Sequence, residues 1–510
     1  MTTSPIASDT RTKIVATIGP ASESPAVLDE LLLAGVDVVR LNLSHGTLES
    51  HLERLQAVRA AAARVQRVVA VLADLPGPKV RAGQFAEGGC DLVGGARLTL
   101  VPGEGASSAE SITVDYPTVL DDLQSGDRIV LGDGAIAIGV DAIGADGARC
   151  TVLTGGHVQG RPGVHLPSER LRLSTPTDED LVYAKAMADA GVDFLAVSFV
   201  RSANDLRLVR DAIAPHRTPL VAKIETMPAV TALEAITAEA DAVMVARGDL
   251  GIECPLEDVP HLQKRIIRHC VEVGVPVITA TQMMESMITS PSPTRAEVSD
   301  IANAVFDGTD ALMLSAETAI GVDPVGVVRT MVRIAGRAEE EASYAQWASR
   351  LGRVQRDQWN DDTRSLIEGS LGEGSFGEGS FGERSGGPDR ITMAITHAAG
   401  QAAVDADAQA ILCCTRSGRT ARAMARFRPA VTLIGLSPDP VTLRTLSLSW
   451  GVRALELATY HSTDDLVWFA VERAVQSGLV KMGDTVLVLA GAPDRPSGAS
   501  TDVLRIVRVS

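Results

Sequence analysis

Residues Leu220 to Gly251, LVAKIETMPAVTALEAITAEADAVMVARGDLG, contain two short apolar runs separated by a helix-like segment. The first run, 220–225, carries Lys223 and Glu225 at its end, and the second, 242–246, leads directly into Arg247-Gly248-Asp249. Residues 230–240, between them, are rich in Ala, Leu and Glu, which predicts a helix. Short apolar runs on either side of a helix are typical of parallel strands buried on both faces. The stretch therefore predicts a strand–helix–strand unit.

The charged residues of this unit indicate a metal-assisted reaction. Lys223 and Glu225 are two positions apart, so they share one face of the first strand. Glu225 and Asp249 follow adjacent strands and could converge on a hard cation such as Mg²⁺, which prefers oxygen ligands. A lysine beside them would hold a phosphate or an enolate oxygen, which is chemistry on a phosphorylated or carboxylated molecule. The alternative is that each charge is simply solvated at a strand end.

The same alternation extends over most of the chain. Predicted strands begin near residues 12, 36, 68, 194, 220, 242, 276 and 311, and a helical pattern follows each one. Eight such units predict a closed (β/α)₈ TIM barrel, with a doubly wound open sheet as the alternative. Residues 77–173 break the pattern with short alternating segments and turn residues, which predicts an all-β domain inserted after the third strand.

The predicted α/β chain thus divides into four parts. They are a tail at 1–10, the barrel at 11–76 and 174–340, the inserted β-barrel domain at 77–173, and a C-terminal α/β domain at 341–510. The last part contains a low-complexity segment at about 351–389, in which the Gly/Ser/Glu repeat of 368–383 favours a flexible loop or linker. Strand-like apolar runs then follow at 392–396, 410–415, 432–436, 485–489 and 504–509.

Composition excludes several classes of function. Among 510 residues the formal net charge is −17 and only 3% are aromatic, which argues against binding to nucleic acid. The six cysteines show no metal-ligand spacing, and Cys413-Cys414 lie in an apolar run, so buried reduced thiols are expected. Met1 to Thr10 lacks a signal-peptide pattern, and no apolar run is long enough to span a membrane. A cytoplasmic protein without membrane contact is therefore expected.

Polar residues follow the predicted strands at one end of the barrel, and we call this set the rim residues. They are Arg40, Asn42, Ser44, His45, Asp74, Lys223, Glu225, Asp249, Thr281, Ser315 and Glu317. The carboxyl ends of the strands of a barrel share one face, so these side chains are expected to meet there. Arg40 offers a planar fork for phosphate, and the amides that begin at Gly248 could bind a carboxylate. The alternatives are an ion pair for Arg40, a cap for His45, and satisfied hydroxyls for Thr281 and Ser315.

A second candidate anion site lies in the C-terminal domain, and we call it the effector loop. It comprises Thr415, Arg416, Ser417, Gly418, Arg419 and Thr420. Hydroxyls, a glycine and free amides between a strand and a helix form a phosphate cradle, although the lysine and the spacing of a P-loop are absent. The alternative is an ordinary helix cap with two exposed arginines.

Seven segments together resemble the pyruvate kinase family. They are RTKIVATIGPAS at 11–22, VRLNLSHG at 39–46, KIE at 223–225, MVARGDLG at 244–251, ATQMMESM at 280–287, PTRAE at 293–297 and MLSAET at 313–318. The resemblance runs from about residue 11 to 510, apart from the repeat tract. It implies phosphoryl transfer from phosphoenolpyruvate to ADP, which gives ATP and enolpyruvate, followed by protonation to pyruvate.

The resemblance also implies roles for the rim residues. Lys223 would bridge the moving phosphoryl group and Arg40 would grip it, while Glu225 and Asp249 would ligate Mg²⁺ or Mn²⁺. The amides of Gly248 and Asp249, with Thr281, would hold the substrate carboxylate. The path of the proton to the enolate carbon would run past the catalytic set Thr281, Ser315 and Glu317.

Further implications concern the nucleotide, regulation and assembly. His45, Asn42, Arg81 and Arg161 match nucleotide-side positions, and the inserted domain would act as a lid that excludes water. The effector loop implies allosteric activation by a phosphorylated metabolite, with sugar bisphosphate, sugar monophosphate and AMP all open. The family is usually tetrameric, which implies a homotetramer.

One departure from the family pattern concerns potassium. Many relatives read Asp-Thr-Lys-Gly-Pro-Glu where this chain reads DLPGPK at 74–79. The acidic residue goes with a potassium requirement, and a lysine at that position goes with independence. Asn42, Ser44, Asp74 and Leu75 of the monovalent-ion site remain, and Lys79 would replace the ion, so no requirement for K⁺ is expected.

Two other functions remain open on the sequence. A Mg-dependent barrel aldolase acting on pyruvate or phosphoenolpyruvate would share the carboxylate pair and the arginine, but it would need neither the inserted domain nor the C-terminal domain. A catalytically dead metabolite-binding regulator would have lost Lys223 or a metal carboxylate, and this chain retains them.

Overall fold

The structure, a computed structural model, describes residues 10–78, 80–132, 134, 136–167, 172–342, 344, 351, 390–460, 462–491 and 501–510. The strands are β1 Lys13–Thr17, β2 Val38–Asn42, β3 Ala70–Asp74, β4 Cys90–Leu92, β5 Arg97–Pro102, β6 Ser111–Val114, β7 Arg128–Leu131, β8 Ile136–Ile143, β9 Ala148–Thr154, β10 Gly156–Val158, β11 Val164–His165, β12 Phe194–Val197, β13 Leu220–Ile224, β14 Ala242–Ala246, β15 Val277–Ala280, β16 Ala311–Leu314, β17 Ala410–Cys414, β18 Thr432–Ser437, β19 Val452–Glu456, β20 Thr485–Ala490 and β21 Val503–Arg508. The helices are α1 Pro25–Ala34, α2 Leu48–Arg64, α3 Val119–Asp122, α4 Asp178–Asp189, α5 Ala203–Ala212, α6 Met227–Thr231, α7 Leu233–Glu239, α8 Arg247–Glu253, α9 Val259–Val273, α10 Arg295–Asp307, α11 Ala316–Ala319, α12 Pro324–Glu341, α13 Arg390–Asp405, α14 Arg419–Ala425, α15 Pro440–Thr445 and α16 Thr463–Gln476.

Eight parallel strands close into a barrel, as the alternating pattern predicts. Going round it, the order is β1, β2, β3, β12, β13, β14, β15 and β16, which pairs again with β1. The barrel strands are buried on both faces, one toward the barrel interior and one toward the surrounding helices. This double burial explains why the strands read as continuous apolar runs. The open-sheet alternative is therefore wrong.

The single helix expected at 230–240 is wrong in detail. The structure has two short helices, α6 and α7, which meet at Ala232, where φ is −91° and ψ is 15°. The first begins early because Thr226 caps it, accepting a hydrogen bond from the amide of Ala229, and Pro228 lies in its first turn. The cap and the proline shift the start of the helix toward the end of β13.

The inserted domain contains strands β4–β11 and one four-residue helix, α3. In the part of it that the structure describes, the strands form a six-stranded sheet, ordered β11, β7, β8, β9, β5 and β6, and a separate pair of β10 with β4. The segment from Arg81 to Phe85 makes isolated bridges to Gly163, next to β11, and to Val114 of β6, so it lies between the two edges of the six-stranded sheet. The closed β-barrel expected here stays a prediction.

Among its described residues the C-terminal domain has a five-stranded sheet, ordered β19, β18, β17, β20 and β21, in which β21 is antiparallel to β20 and the other pairs are parallel. The run 392–396, expected as a strand, lies instead inside helix α13. Its buried residues recur every three to four positions, at Thr392, Thr396, Ala399 and Ala403, which is a helical spacing that a five-residue window cannot reveal. Strand β19 was missed. The repeat tract at 368–383 lies outside the described residues.

Two further expectations concern cysteines and membranes. All six cysteines are free, and five of them are buried, including the adjacent pair Cys413 and Cys414. No helix within the described ranges is long and apolar enough to cross a membrane.

Candidate active site

Lys223 lies at the centre of a charged cluster at the carboxyl ends of the barrel strands. Its Nζ is 3.2 Å from Oδ1 of Asp74 and 3.0 Å from Oε1 of Glu225, and it donates to the hydroxyl of Ser198 at 2.7 Å. Asp74 ends β3 and is 1% exposed, while Lys223 belongs to β13. Burial disfavours the ammonium, but the carboxylates of Asp74 and Glu225 outweigh it and raise the pKa of Lys223. The lysine is therefore a fixed positive charge.

Arg40 belongs to the same cluster through Asp74. Its Nε donates to Oδ2 of Asp74 at 2.7 Å, and its Nη1 donates to the hydroxyl of Thr17 at 3.0 Å. Burial would favour the neutral acid, but the charges of Lys223 and Arg40 overcome it and lower the pKa of Asp74. The ion pair weighed as an alternative for Arg40 is thus present, and it aligns the guanidinium beside Lys223.

Glu225 is a buried carboxylate with an unfavourable charge balance. Its Oε2 accepts a hydrogen bond from the amide of Phe199 at 2.6 Å, and Oε1 contacts Lys223. Burial, reinforced by the nearby charge of Asp249 and only partly opposed by Lys223, raises the pKa of Glu225 to about 7. A cation between Glu225 and Asp249 would offset the repulsion between the two carboxylates, so the donor set fits a hard divalent ion.

These two carboxylates do not form a complete protein cage for a metal. Among the residues that the structure describes, no group of three or more His, Cys, Asp or Glu side chains could hold an ion. Mg²⁺ commonly binds through one or two carboxylates, with water and substrate oxygens completing its shell. An ion held by Glu225 and Asp249 would therefore keep positions open for a substrate.

The segment after β15 is held in a strained conformation next to helix α8. Thr281 and Gln282 have φ values of +68° and +53°, and a β-branched residue in this region is an outlier. The hydroxyl of Thr281 accepts a hydrogen bond from the amide of Gly248 at 2.8 Å. Arg247 donates to the carbonyls of Ala280 and Thr281 at 3.1 and 2.6 Å, and so fixes the segment. Thr281 and Gly248 are therefore together, as expected.

Ser315 and Glu317 are linked to this segment. One carboxylate oxygen of Glu317, which is 2% exposed, accepts from the amide of Ser315 at 2.7 Å. The other accepts from the amide of Met284 at 3.1 Å, so Glu317 ties the loops after β15 and β16 together. Its position is that of a support for the neighbouring loops.

Family models match most of the chain. The barrel domain of pyruvate kinase matches residues 9–328, and its alpha/beta domain matches residues 393–507. The chain belongs to the pyruvate kinase family. It is 39% identical to the pyruvate kinase of Geobacillus stearothermophilus, over 98% of this chain and 80% of that protein. It is 37% identical to the pyruvate kinase of Mycobacterium tuberculosis, over 98% of each chain.

The fold agrees with this assignment. A solved structure of a pyruvate kinase from Cryptosporidium parvum superimposes with a TM-score of 0.85 at 32% identity, covering 98% of this chain and 96% of that one. As a pyruvate kinase homologue the chain is a phosphotransferase of glycolysis. The aldolase alternative is not favoured, because the family models include the C-terminal domain that an aldolase would not need.

The pyruvate kinase motif near the predicted monovalent-ion site is only partly described. Asn42 pairs in register with Asp74, and its side-chain oxygen accepts from the amide of Ser44 at 3.3 Å. The carbonyl of Leu75 accepts from Ser198 at 2.7 Å. Lys79 lies outside the described residues, so its replacement of the ion stays a prediction.

The predicted nucleotide residues lie in two places. His45 is exposed just after β2, and its carbonyl contacts the ring of His51 at 2.7 Å. Arg81 and Arg161 lie together in the inserted domain, where Nη1 of Arg81 donates to the carbonyl of Arg161 at 3.3 Å. Arg161 also contacts Asp115 at 3.3 Å. Their role toward a nucleotide stays a prediction.

The effector loop has a tight, internally bonded form. Gly418 has a φ of +77°, which favours glycine, and the carbonyl of Arg416 accepts from the hydroxyl of Thr442 at 2.7 Å. Thr420 is buried, and its hydroxyl is 2.6 Å from that of Thr501. The hydroxyl of Thr420 is thus already engaged within the protein, and phosphate binding by the loop stays a prediction.

Sequence reasoning missed four residues of the pyruvate kinase site. Ser198 contacts both Lys223 and Asp74, and the amide of Phe199, which has a φ of +53°, holds Glu225. Thr17 supports the guanidinium of Arg40, and Arg247 supports the segment after β15. Thr17 ends β1 and Ser198 directly follows β12, so the strand-end signal used for the rim residues could have found both.

Proposed function

We propose that this chain transfers the phosphoryl group of phosphoenolpyruvate to ADP, giving ATP and pyruvate. The observation that carries the proposal is the placement of Lys223 between Asp74 and Glu225 at the carboxyl end of the barrel, beside Arg40. Phosphoryl transfer requires little covalent participation by the protein, and its rate comes from positioning and charge neutralisation. A buried, permanently charged lysine next to an aligned arginine supplies both.

Lys223 and Arg40 have complementary roles in the proposed reaction. The ammonium of Lys223 neutralises the phosphoryl group as it moves from the enol oxygen of phosphoenolpyruvate to the terminal phosphate oxygen of ADP. The planar fork of Arg40 holds the equatorial phosphoryl oxygens, which a lysine could not do with the same directionality. Asp74 keeps both cations in place, because it contacts each of them.

Glu225 and Asp249 would hold Mg²⁺ or Mn²⁺. When bound, the ion supplies Lewis-acid stabilisation of negative charge on the substrate oxygens. The amides at the start of α8, those of Gly248 and Asp249, orient the substrate carboxylate together with the hydroxyl of Thr281. The Gly248 amide now donates to Thr281, so a bound carboxylate shares or replaces this hydrogen bond.

Protonation of the enolate is assigned to the region of Thr281. Its hydroxyl is positioned by a strained backbone, and Ser315 and Glu317 stabilise the adjoining loop. A proton relayed through this hydroxyl or an associated water reaches the enolate carbon from the protein side. In the proposed reaction Lys223 therefore acts on the phosphoryl group, and Thr281 acts at the enolate carbon that is protonated.

The inserted domain is proposed to close over the nucleotide. Arg81 and Arg161 would approach the phosphates of ADP from that domain, and His45 and Asn42 would contact it from the barrel. Closure excludes water, so that transfer to ADP is favoured over hydrolysis. The effector loop would bind an activating phosphorylated metabolite, and a cytoplasmic homotetramer is the proposed working form.

We predict turnover without potassium. The ammonium of Lys79 would occupy the place of the monovalent cation beside Asn42, Ser44 and Asp74. The measurement is pyruvate formation from phosphoenolpyruvate and ADP with Mg²⁺, first in potassium-free buffer and then with added K⁺. A negligible rate without K⁺ and a normal rate with it would retain the reaction and refute the role of Lys79.

The same assay tests the proposed function as a whole. AMP and sugar phosphates are titrated under both conditions, and activation by any of them supports the effector loop as a regulatory site. Absence of pyruvate formation under every condition would refute the proposed reaction and favour a metabolite-binding regulator. Substitution of Arg416 by alanine should abolish the activation while leaving the basal rate unchanged.

A further inference from the structure

A small cavity lies between the barrel and the C-terminal domain, far from the strand ends that carry the candidate active site. Its barrel wall is the end of α9 and the turn into β15, with Cys270, Val271, Gly274, Val275 and Pro276, together with Asp310. Its other wall comes from the C-terminal domain, with Arg422, Ala425, Arg426, Arg428 and Ser449. Three guanidinium groups and one carboxylate therefore surround a single space.

Arg426 is the unusual member of this lining. It is 4% exposed, and its Nε and Nη2 are buried without a hydrogen-bond acceptor. Its Nη1 makes a long contact of 3.4 Å with the carbonyl of Glu272, and its guanidinium lies 4.8 Å from the ring of Phe427. Burial lowers the pKa of Arg426 to about 10, and no carboxylate in the described part of the chain pairs with it.

The neighbouring charges do not compensate Arg426. Asp310 forms an ion pair with Arg428, whose Nη1 lies 2.9 Å from Oδ1 of Asp310. Asp241 acts on Arg422 and not on Arg426. The carbonyl end of α9 offers at most about half a negative charge, which cannot balance a whole guanidinium. A buried, unpaired charge is strongly unfavourable, so the native protein needs a negative partner there.

We propose that this cavity binds one small monovalent anion, of the size and charge of chloride. Arg426 provides the unpaired charge, and the buried hydroxyl of Ser449 and Nε of Arg428 are further donors without an acceptor. The free volume of about 10 Å³ is on the order of a single water-sized particle. None of the effector-loop residues lines this cavity, so the site is distinct from that loop.

The anion stabilises the docking of the two domains. It joins the end of α9 in the barrel to the segment that follows α14 in the C-terminal domain, and it neutralises a charge that would otherwise oppose their contact. A halide that binds the folded state and not the unfolded state increases the free energy of unfolding by mass action. This inference is independent of the proposed reaction, because it involves none of the rim residues.

Bromide locates the site directly. Crystals of the full chain are grown in sodium bromide, and anomalous scattering is measured at the bromine edge. We expect one anomalous peak within hydrogen-bond distance of the guanidinium of Arg426. A cavity that holds only water, with no anomalous peak at saturating bromide, overturns the proposal.

A halide titration tests the role of Arg426. Sodium chloride replaces sodium gluconate at constant ionic strength, and the midpoint of thermal unfolding is recorded. The wild-type midpoint should rise by about 1–2 °C, a size set by the mass-action relation for a weakly bound ligand. Arg426→Met should lose this rise, while the exposed control Arg333→Met should keep it.

The outcomes separate cleanly. An equal chloride effect in Arg426→Met and in the wild type overturns the proposal, since the effect then comes from other surfaces. If Arg426→Met does not fold, the bromide peak in the wild-type crystal decides the question alone. Activity is not the readout in either experiment, so failure of the proposed reaction would leave both results interpretable.

Discussion

At the scale of single residues, the candidate site explains how an acidic chain could bind the anionic substrates proposed for it. The chain carries a formal net charge of −17, yet the proposed substrates are anions. Lys223 and Arg40 provide two fixed cations, and Asp74 holds both in place from a buried position. Local pairing in a low-dielectric environment outweighs the distant surface charges, which are screened by salt. Two fixed cations thus lie where the phosphoryl group would lie, and a divalent ion held by Glu225 and Asp249 would balance the remaining carboxylates.

Replacement of Lys223 by alanine should separate binding from turnover. Arg40, the amides of α8 and the carboxylate pair remain, so phosphoenolpyruvate should still bind within about tenfold of the wild-type affinity. The moving phosphoryl group loses its neutralising charge, and kcat should fall by about 10³-fold or more. Steady-state kinetics and a direct binding titration measure the two effects. The exposed control Lys185→Ala should change neither, and a Lys223→Ala variant with near-normal kcat would contradict the assignment.

The raised pKa of Glu225, about 7, predicts that metal affinity depends on pH. The metal binds the ionised carboxylate, and the fraction ionised rises with pH until the pKa is passed. The apparent Kd for Mn²⁺ or Mg²⁺ should therefore fall about tenfold per pH unit between pH 5 and 6, then level off above about 7. Titration of the metal-free protein, by calorimetry or by Mn²⁺ electron paramagnetic resonance, measures this dependence. A Kd that is constant from pH 5.5 to 8 would refute it.

At the scale of elements, the sequence predicts where strands end better than how the next loop turns. Apolar runs that stop at charged residues placed Arg40, Lys223 and Glu225 at one end of the barrel, since burial on both faces leaves a distinct pattern. The positive φ of Thr281 has no such signal, because a β-branched residue disfavours that conformation. Tertiary contacts from Arg247 impose it, and contacts between distant elements are not visible in a local pattern.

Arg247→Lys should test whether this imposed loop matters for catalysis. The arginine donates to the carbonyls of Ala280 and Thr281 and also pairs with Asp300 at 2.6 Å. A lysine can keep the ion pair, but it lacks the planar fork needed for both carbonyls. We expect kcat/KM for phosphoenolpyruvate to fall by about 10²-fold, because the hydroxyl of Thr281 is displaced.

The control for Arg247→Lys is Arg207→Lys on helix α5. Arg207 contacts Glu239 at the surface through Nε and Nη2, at 3.0 and 2.8 Å. The same arginine-to-lysine substitution is therefore made at a position that supports no active-site loop. This control should retain full activity. An Arg247→Lys variant with unchanged kcat/KM would show that the loop keeps its conformation without the fork.

At the scale of the whole molecule, buried polar contacts join the barrel to the C-terminal domain. Lys13 of β1 donates to the carbonyl of Val452 at 2.9 Å, and Arg428 pairs with Asp310. Such contacts link residues hundreds of positions apart, and composition and periodicity give no indication of them. They join the start of β19 and the segment after α14 to the amino-terminal ends of the barrel strands β1 and β16.

Asp193 links the barrel to the C-terminal domain, and its replacement should allow the two domains to unfold separately. It is fully buried at the start of β12, where Oδ2 accepts from Arg59 and from the amide of Val71, both at 2.7 Å. Its Oδ1 accepts from Arg444 of the C-terminal domain at 2.6 Å. Asp193→Asn removes the charge that both arginines share and turns an amide donor toward one of them. Loss of one member of a buried network should destabilise the docked state by about 2–3 kcal/mol, reduced from the fully buried case because both arginines are partly exposed.

Scanning calorimetry measures whether Asp193 couples the domains. The wild type should unfold with the barrel and the C-terminal domain in one overlapping transition, and Asp193→Asn should split or broaden it, with the first midpoint several degrees lower. The surface control Asp29→Asn, which disturbs only the exposed pair with Arg64, should leave the profile unchanged. Arg444→Met removes the interdomain partner while keeping Arg59 paired, so it should reproduce the splitting. A single unshifted transition in both Asp193→Asn and Arg444→Met would show that the apolar contact between the domains suffices to hold them together.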